Sequence, residues 1–516
     1  MKNDIKTVIR LLRKDKSFFL INLTGLAIGI ASFLVILHFV VHHASYDQNI
    51  KYGDRLVRLI GQYTQNGEDR GVGTVLPNQL APTLQEELTY IEQSARFYDI
   101  GYNNFSIVYK QDDGFISYGE SDVFLVDNAI FELFDWKFKH GGSARFDEPM
   151  KMVLTETTAK KYFGDKDPVG LEVSLAGNTG AKQLEIVGVI NDLPKTSHIK
   201  FDLLVSYPSI DEYFQVEGDT WGLNTDISYF LLENEKDLSR LEKDAQEIFN
   251  NKTAEVEAST GYKADLIAER VRDIHLYTQA TIEDFKSSMD YRLIYGLAII
   301  AVIIVFIAWI NYLNMSMVKT IERMREVGVR RVLGASGNHI TRLFVIEAVM
   351  VVLFAFIIAL TAVQISAPYL VEITDVTINV KDNPSLVLAV LLGLLLSASL
   401  VGTYPSLILR STKSFEVLRG KSTGTAKGVN LRKLLIAVQF VVSFLLIAAT
   451  LTVYNQLTYM KSADLGLDIE DIMVINSPPS AIQGLGESKR ANYNAFKNDL
   501  SQYPSIAKFT NGGELP

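Results

Sequence analysis

Five stretches of this chain contain no Asp, Glu, Lys or Arg: Phe18 to Val41, Leu293 to Val318, Ala348 to Val371, Ser385 to Leu409 and Leu434 to Met460. A helix over the shortest measures about 36 Å at 1.5 Å per residue. The hydrocarbon core of a bilayer is about 30 Å thick, so each stretch can cross it with some tilt. With 48% hydrophobic and 21% charged residues arranged in this way, the 516-residue chain reads as a membrane protein. The expected fold is an α-helical bundle of five spans with a large α+β domain outside it. A purely soluble protein, a disordered chain and a nucleic-acid-binding module are excluded. The chain has no Cys, so it has no disulfide framework, thiolate nucleophile or Cys-ligated zinc.

Charge sets the orientation. Residues 42–290 hold 24 Lys and Arg against 43 Asp and Glu, whereas 1–17, 319–342 and 410–433 together hold 19 basic and five acidic residues. Short basic loops stay cytoplasmic, which places the amino terminus inside and the acidic domain outside. The layout is then a cytoplasmic amphipathic helix over 1–17, spans at 18–41, 293–318, 343–371, 385–409 and 434–456, external residues 42–290 and 457–516, and cytoplasmic segments at 319–340 and 410–433. Phe18 to Val41 is too long for the apolar part of a cleaved signal peptide, and it reads as an uncleaved anchor. Before it, Ile5, Val8, Ile9 and Leu12 recur at helical spacing among Lys and Arg. That pattern suits a helix on an anionic inner leaflet and equally suits ordinary positive flanking of a span.

Within the external part, 56–60, 184–190 and 229–232 read as strands, and 79–88, 156–163 and 237–250 as helices. Thr155 and Gly164 are a start and a stop signal for the second helix. Residues 177–180 read as a hairpin turn and 233–236 as a loop.

Nothing in the chain assembles an active site. The nearest approach to a phosphate-binding loop is Gly420-Lys421-Ser422, but the glycine it requires at 415 is Phe415, and a span rather than a strand precedes it. His38 and His42 share a helix face without a third metal ligand and read as interfacial anchors. No acidic or basic residue occupies the middle of a span, as ion coupling would need. Glu347 lies near the inner end of its span and is expected to reach water or a basic neighbour. Asn311 and Asn314 are expected to bond an adjacent helix, at roughly 0.6–2 kcal/mol each. Gly25 and Gly29 form a small-xxx-small pair that admits a second helix, from this chain or from another copy.

After the second span the chain continues as a charged helix, Thr320 to Ser336. Ile321, Met324, Gly328 and Val332 line one narrow apolar face, Glu326 and Arg330 form an i, i+4 pair, and Gly334 can end the helix. It can be a short rigid lever attached to a membrane helix or a solvated loop, and the physics of the segment leaves both open.

The run Glu322-Arg323-Met324-Arg325-Glu326-Val327-Gly328-Val329-Arg330-Arg331-Val332-Leu333-Gly334-Ala335 resembles the coupling-helix signature of FtsX-like, MacB-type ABC transporter permeases. Ile21 to Gly29, Ser45-Tyr46-Asp47, Leu154 to Gly164, Asn311 to Ser316 and Gly402-Thr403-Tyr404-Pro405-Ser406 resemble the same family, in the form found in Bacteroidota. The likeness covers essentially the whole chain. It implies one span, a MacB-like periplasmic domain and three spans, matched by residues 1–410. Leu431 to Phe440 resembles the first span of a second such copy, whose periplasmic domain has barely begun when the chain stops.

The resemblance implies a permease subunit in the bacterial inner membrane that is not itself an enzyme. A separate ABC ATPase would bind ATP and Mg, so no cofactor is expected in this chain. A homodimer or a second permease half would complete the membrane part, with a periplasmic adaptor and an outer-membrane channel as further partners. Glu322, Arg323, Arg325, Glu326, Gly328, Val329, Arg330, Arg331, Leu333 and Gly334 would couple to the ATPase, and Gly25, Gly29, Asn311 and Asn314 would pack helices. Two other readings are a regulatory permease that activates a periplasmic cell-wall hydrolase, and a membrane sensor. A sensor would need a sizeable cytoplasmic output domain, whereas the longest inner segment is 410–433.

Overall fold

The computed structural model describes all residues except 1–3, 5, 9, 11–15, 101–104, 112–113, 178–179, 211–220, 223, 283–287, 323–328, 330–335, 380, 412–425, 463–472, 474–486, 504–505 and 507–516. It divides into two compact units, 1–44 with 291–471 and 45–290 with 472–516. Helix α1 spans Lys16–Ala44. The strands and longer helices that follow are β1 (Leu56–Gln65), β2 (Glu68–Gly73), β3 (Leu76–Pro77), α2 (Leu80–Glu87), β4 (Ile91–Asp99), β5 (Phe105–Gln111), β6 (Gly114–Glu120), β7 (Val123–Val126), β8 (Phe138–Gly141), β9 (Lys151–Thr155), α3 (Glu156–Phe163), β10 (Glu172–Gly177), β11 (Gly180–Ile190), β12 (Leu203–Ser206), β13 (Asn224–Leu232), α4 (Leu238–Thr260) and β14 (Tyr262–Arg270). The chain continues as α5 (Tyr291–Glu322), α6 (Gly337–Thr374), α7 (Pro384–Ser411) and α8 (Ala426–Ser462).

Helices α1 and α5 to α8 are each long and apolar enough to cross a membrane. One apolar cluster joins Leu26, Ala27 and Ile30 of α1, Ala308 and Trp309 of α5, Ala348, Val352 and Ala355 of α6, and Ala398 of α7. Alanine recurs at these contacts because, between helices in lipid, close backbone approach replaces the hydrophobic effect as the source of cohesion. The amino-terminal segment contributes to the same cluster. Val8 is fully buried there, Asp4 Oδ2 lies 2.5 Å from Arg342 Nη2, and Lys6 and Arg10 remain exposed. In contrast, none of the described residues of α8 is buried.

The second unit is built on one 14-stranded mixed sheet, in the order β14-β1-β13-β4-β7-β12-β9-β11-β10-β5-β6, with β2, β3 and β8 on side branches. Two pairings are parallel, β7 with β12 and β9 with β11. Both faces of the sheet are covered. On one face Leu56, Tyr229, Leu231 and Phe97 meet the aromatic group of Phe131, Phe134 and Trp136; on the other Val57, Leu59, Phe230 and Leu232 meet Leu84 of α2 and Leu241, Ala245 and Phe249 of α4. Alternate residues of one strand thus enter different cores, which is why Tyr229 to Leu232 of β13 read as consecutive apolar residues, and Leu56 to Ile60 of β1 do so except at Arg58. A third core, around Met152, Leu154, Tyr162 and Leu184, packs α3 on β9 to β11. There the Thr155 hydroxyl accepts the Thr158 N–H, and Gly164, at φ 64°, ends the helix.

All three strands read from the sequence are longer than their apolar patterns predict, and β11 begins at Gly180 because Gly180 to Gln183 pair with β10. β1 continues five residues past Ile60, because Gln62 and Thr64 keep pairing with β14 and β2. β13 begins at Asn224, with Asp226 opposite Tyr98 of β4. Helix α4 runs ten residues past Asn250, to the left-handed Gly261.

Several charged groups inside this core are paired. Arg58, fully buried on β1, donates to Glu269 Oε2 on β14 at 2.9 Å and to Thr278 Oγ1 at 3.2 Å, while the Gln279 N–H donates to Glu269 Oε1 at 2.9 Å. Where β4 meets β7, Arg96 grips Asp127 through Nε and Nη2 at 2.9 and 3.0 Å and lies 3.7 Å over the Tyr207 ring. Beside them Asp226 is fully buried, and Thr225 donates to its Oδ2 at 2.6 Å. Burial, the largest cause, pushes the Asp226 carboxyl up to about 6.

Breaking the Arg58 pair strands a buried carboxylate, so Arg58→Ala is expected to cost about 3–5 kcal/mol, and Arg58→Met with Glu269→Leu to recover much of that. Thermal unfolding of the detergent-solubilised chain checks this, and an unchanged midpoint for Arg58→Ala contradicts it. Asp226 has a folded pKa above its unfolded one. Its contribution is therefore fully present below about pH 4 and lost as pH rises through about 6. Asp226→Asn is expected to remove this slope and to stabilise the protein at pH 7.5 by about 3 kcal/mol. Equal pH profiles for variant and wild type contradict the assignment.

Candidate functional site

The residues singled out by sequence fall in two places in the helical unit. Of the residues that the resemblance assigns to coupling, Glu322 ends α5, and Val329 is helical and about half exposed. Arg323, Arg325, Glu326, Gly328, Arg330, Arg331, Leu333 and Gly334 lie outside the described residues. Both anchors of the segment are described. On the α5 side, Thr320 is buried and donates to Ser316 O at 2.8 Å. On the α6 side, Ser336 caps the helix by accepting the His339 N–H at 3.3 Å. Thr341 donates to Ser406 Oγ at 2.9 Å, and Ser406 donates to Thr403 O at 2.7 Å. Gly402 brings α7 against this turn: a Cβ there would lie 2.9 Å from Val345 Cα and 3.2 Å from Ala348 Cβ. Glu347, next to Ala348 on α6, is buried.

The second place is the seam between α1 and α5. A Cβ at Gly25 would meet Asn311 Nδ2 at 3.2 Å, and one at Gly29 would meet Ala308 Cβ at 2.7 Å. The glycine pair therefore admits α5 of the same chain. The contacts run antiparallel, so Asn22 stands at the level of Asn314, and both side chains are buried. The Asn314 Oδ1 has no hydrogen-bond partner among the described residues. Farther along α1, His38 Nε2 is 3.2 Å from the Thr377 carbonyl.

In the sheet unit, the segment that follows α1 and the one that leads towards α5 meet. The Tyr46 and His275 rings stack with centroids 3.5 Å apart and planes 6° apart, and both are buried. Gln48 Nε2 donates to Arg272 O at 3.5 Å, and Arg272 pairs with Asp54. Asp47, held at φ 56°, accepts the His198 N–H at 3.2 Å, and its Oδ2 lies 3.0 Å from His198 Nδ1. The far nitrogen of that ring, Nε2, is 2.9 Å from the hydroxyl of Tyr229 in β13. The sequence reading passed over His198, Tyr229 and His275. Lone aromatic residues in apolar surroundings give no periodic or motif signal, and only Tyr46 and Asp47 fell inside a motif.

Residues 19–249 match the MacB-like periplasmic core domain, and residues 298–413 match the FtsX-like permease C-terminal domain. Over 246 residues the chain is 24% identical to the macrolide export ATP-binding/permease protein MacB of Salmonella choleraesuis, covering 46% of this chain and 35% of that protein. It is 26% identical over 202 residues to the Azoarcus protein of the same description, covering 39% and 27%. The chain thus spans about a third of the length of these curated relatives. Among solved structures, the periplasmic region of MacB from Actinobacillus actinomycetemcomitans is similar over 44% of this chain and 94% of that one, at 17% identity and a TM-score of 0.31.

The seam is open to direct test. Gly29→Val drives a side chain into Ala308 and its helix, and is expected to destabilise the bundle by about 1–3 kcal/mol. Gly25→Ala, which meets only a movable amide, is expected to cost less. Thermal unfolding in detergent measures both, and a wild-type midpoint for Gly29→Val contradicts the packing.

Proposed function

We infer the function of this chain from its family: it belongs to the permeases that join a MacB-like periplasmic core domain to an FtsX-like membrane domain, multi-pass proteins of the inner membrane. Within that family we read it as the transmembrane subunit of an ABC transporter that drives export by mechanical relay. A separate cytoplasmic ATPase holds ATP and Mg. Its closure moves the segment 323–335, where Arg323, Arg325, Glu326, Arg330 and Arg331 make the polar contacts and Val329 and Leu333 fill a groove. A second copy of the chain or another permease half completes the membrane part. A periplasmic adaptor and an outer-membrane channel carry cargo onward, and the amino terminus lies in the cytoplasm. The relatives' descriptions as macrolide export proteins support export as the direction of transport.

The observation that carries this reading is the continuity of α5. It runs unbroken from Tyr291 to Glu322, about 48 Å at 1.5 Å per residue, and enters the coupling segment directly. Its packing on α1 ties it to the other helix that leads into the sheet unit. A push on the coupling segment is therefore a push on both.

Arg325→Glu with Arg330→Glu is expected to abolish co-purification of the ATPase from native membranes and to lower its stimulated rate about tenfold or more, with membrane insertion unchanged. Unchanged co-purification and hydrolysis contradict the assignment.

A further inference from the structure

A relay needs a joint that does not slip, and the place to look is where the chain enters and leaves the sheet unit. The entering segment begins at Ser45, directly after α1, and the leaving segment passes through Arg272 and His275 on its way to α5. Six contacts bind them to one another or link them to the sheet. The Tyr46 and His275 rings stack face to face. Gln48 reaches the Arg272 carbonyl, and Arg272 pairs with Asp54. The Asp47 N–H donates to Thr196 O at 2.9 Å, and the Asp47 carboxylate faces His198, whose other nitrogen faces the Tyr229 hydroxyl.

This arrangement is more costly than ordinary packing would need. Asp47 and His198 are taken out of water almost completely, and Asp47 adopts a left-handed backbone that a non-glycine residue enters at a cost. A run of polar contacts in a dry core favours one geometry, whereas apolar contacts of equal area would tolerate sliding. Its end point is also specific. Tyr229 pairs on β13 with Arg58 of β1 and Ala95 of β4, in the interior of the sheet.

We propose that Tyr46, His198 and His275 are positioning residues of the relay: the stacked rings make the two passages of the chain one body, and the Asp47–His198–Tyr229 chain fastens that body to β13. The proposal rests on the relay reading above. Displacement of the entering or the leaving segment then carries β13 with it.

The chain has no Cys, so Asn49→Cys on the entering segment and Gln183→Cys on β11, both exposed, can be spin-labelled in the full-length protein in nanodiscs with its co-purified ATPase. With the joint intact, the distance distribution between them is expected to be narrow and insensitive to a non-hydrolysable ATP analogue. In Tyr46→Leu and His275→Leu it is expected to become roughly twice as wide and to shift further with nucleotide. Tyr46→Phe, which keeps the stacked ring, is expected to restore the narrow distribution, which a general loss of stability would not do. Tyr229→Phe removes a single oxygen and carries the test if the Leu variants do not fold; it is expected to broaden the distribution in the same direction. Wild-type width in His275→Leu, or in Tyr229→Phe if His275→Leu does not fold, overturns the proposal. Absence of any co-purified ATPase or of any nucleotide effect in every variant overturns the relay reading instead, and the widths without nucleotide then decide whether the joint exists.

Discussion

The approach of α1 to α5 at Gly29 is the constraint on which the helical unit depends. A Cβ there would come within 2.7 Å of Ala308, so the two helices can lie this close only because one residue has no side chain. In lipid, apolar side chains gain little by leaving their surroundings, and cohesion comes from dispersion between backbones in near contact together with buried polar groups. At the seam Gly25 and Gly29 give proximity, and Asn22 and Asn314 are buried polar residues. Helix α8 has neither arrangement among its described residues, and its Phe440, Phe444 and Tyr459 are exposed.

The sheet unit solves a different problem. A sheet covered on both faces cannot place its polar groups in water, so each must find a partner in the core. Arg58 and Glu269 answer this across two neighbouring strands, and Arg96 and Asp127 answer it where β4 meets β7. Such pairs add little net stability compared with apolar replacements, but they penalise any other register heavily. For a domain that would be pulled upon by two helices, a fixed register is worth more than a few kcal/mol of stability.

Much of this was legible in the sequence, and what was not has physical reasons. The five apolar helices follow from charge-free length alone, and α3 from its Thr155 cap and Gly164 stop. The first half of β13 was not legible, because Asn224, Thr225 and Asp226 are polar residues whose pairing with β3 and β4 is set by distant parts of the chain. The last turns of α4 escaped for a related reason. Beyond Asn250 its apolar periodicity fades, and Thr253 is its one buried side chain there. The segment proposed for coupling rests on motif resemblance, since periodicity alone leaves a lever and a loop equally open. The joint at Tyr46 and His275 joins residues more than two hundred positions apart, and no local pattern announces it.

The account requires the segment between α5 and α6 to lie in the cytoplasm, where an ATPase can reach it. Val329 is exposed, and the chain has no other thiol to confuse labelling, so Val329→Cys can be treated with a membrane-impermeant maleimide in intact cells and in opened membranes. The account predicts labelling only after the membranes are opened. Labelling of Val329→Cys in intact cells would contradict it.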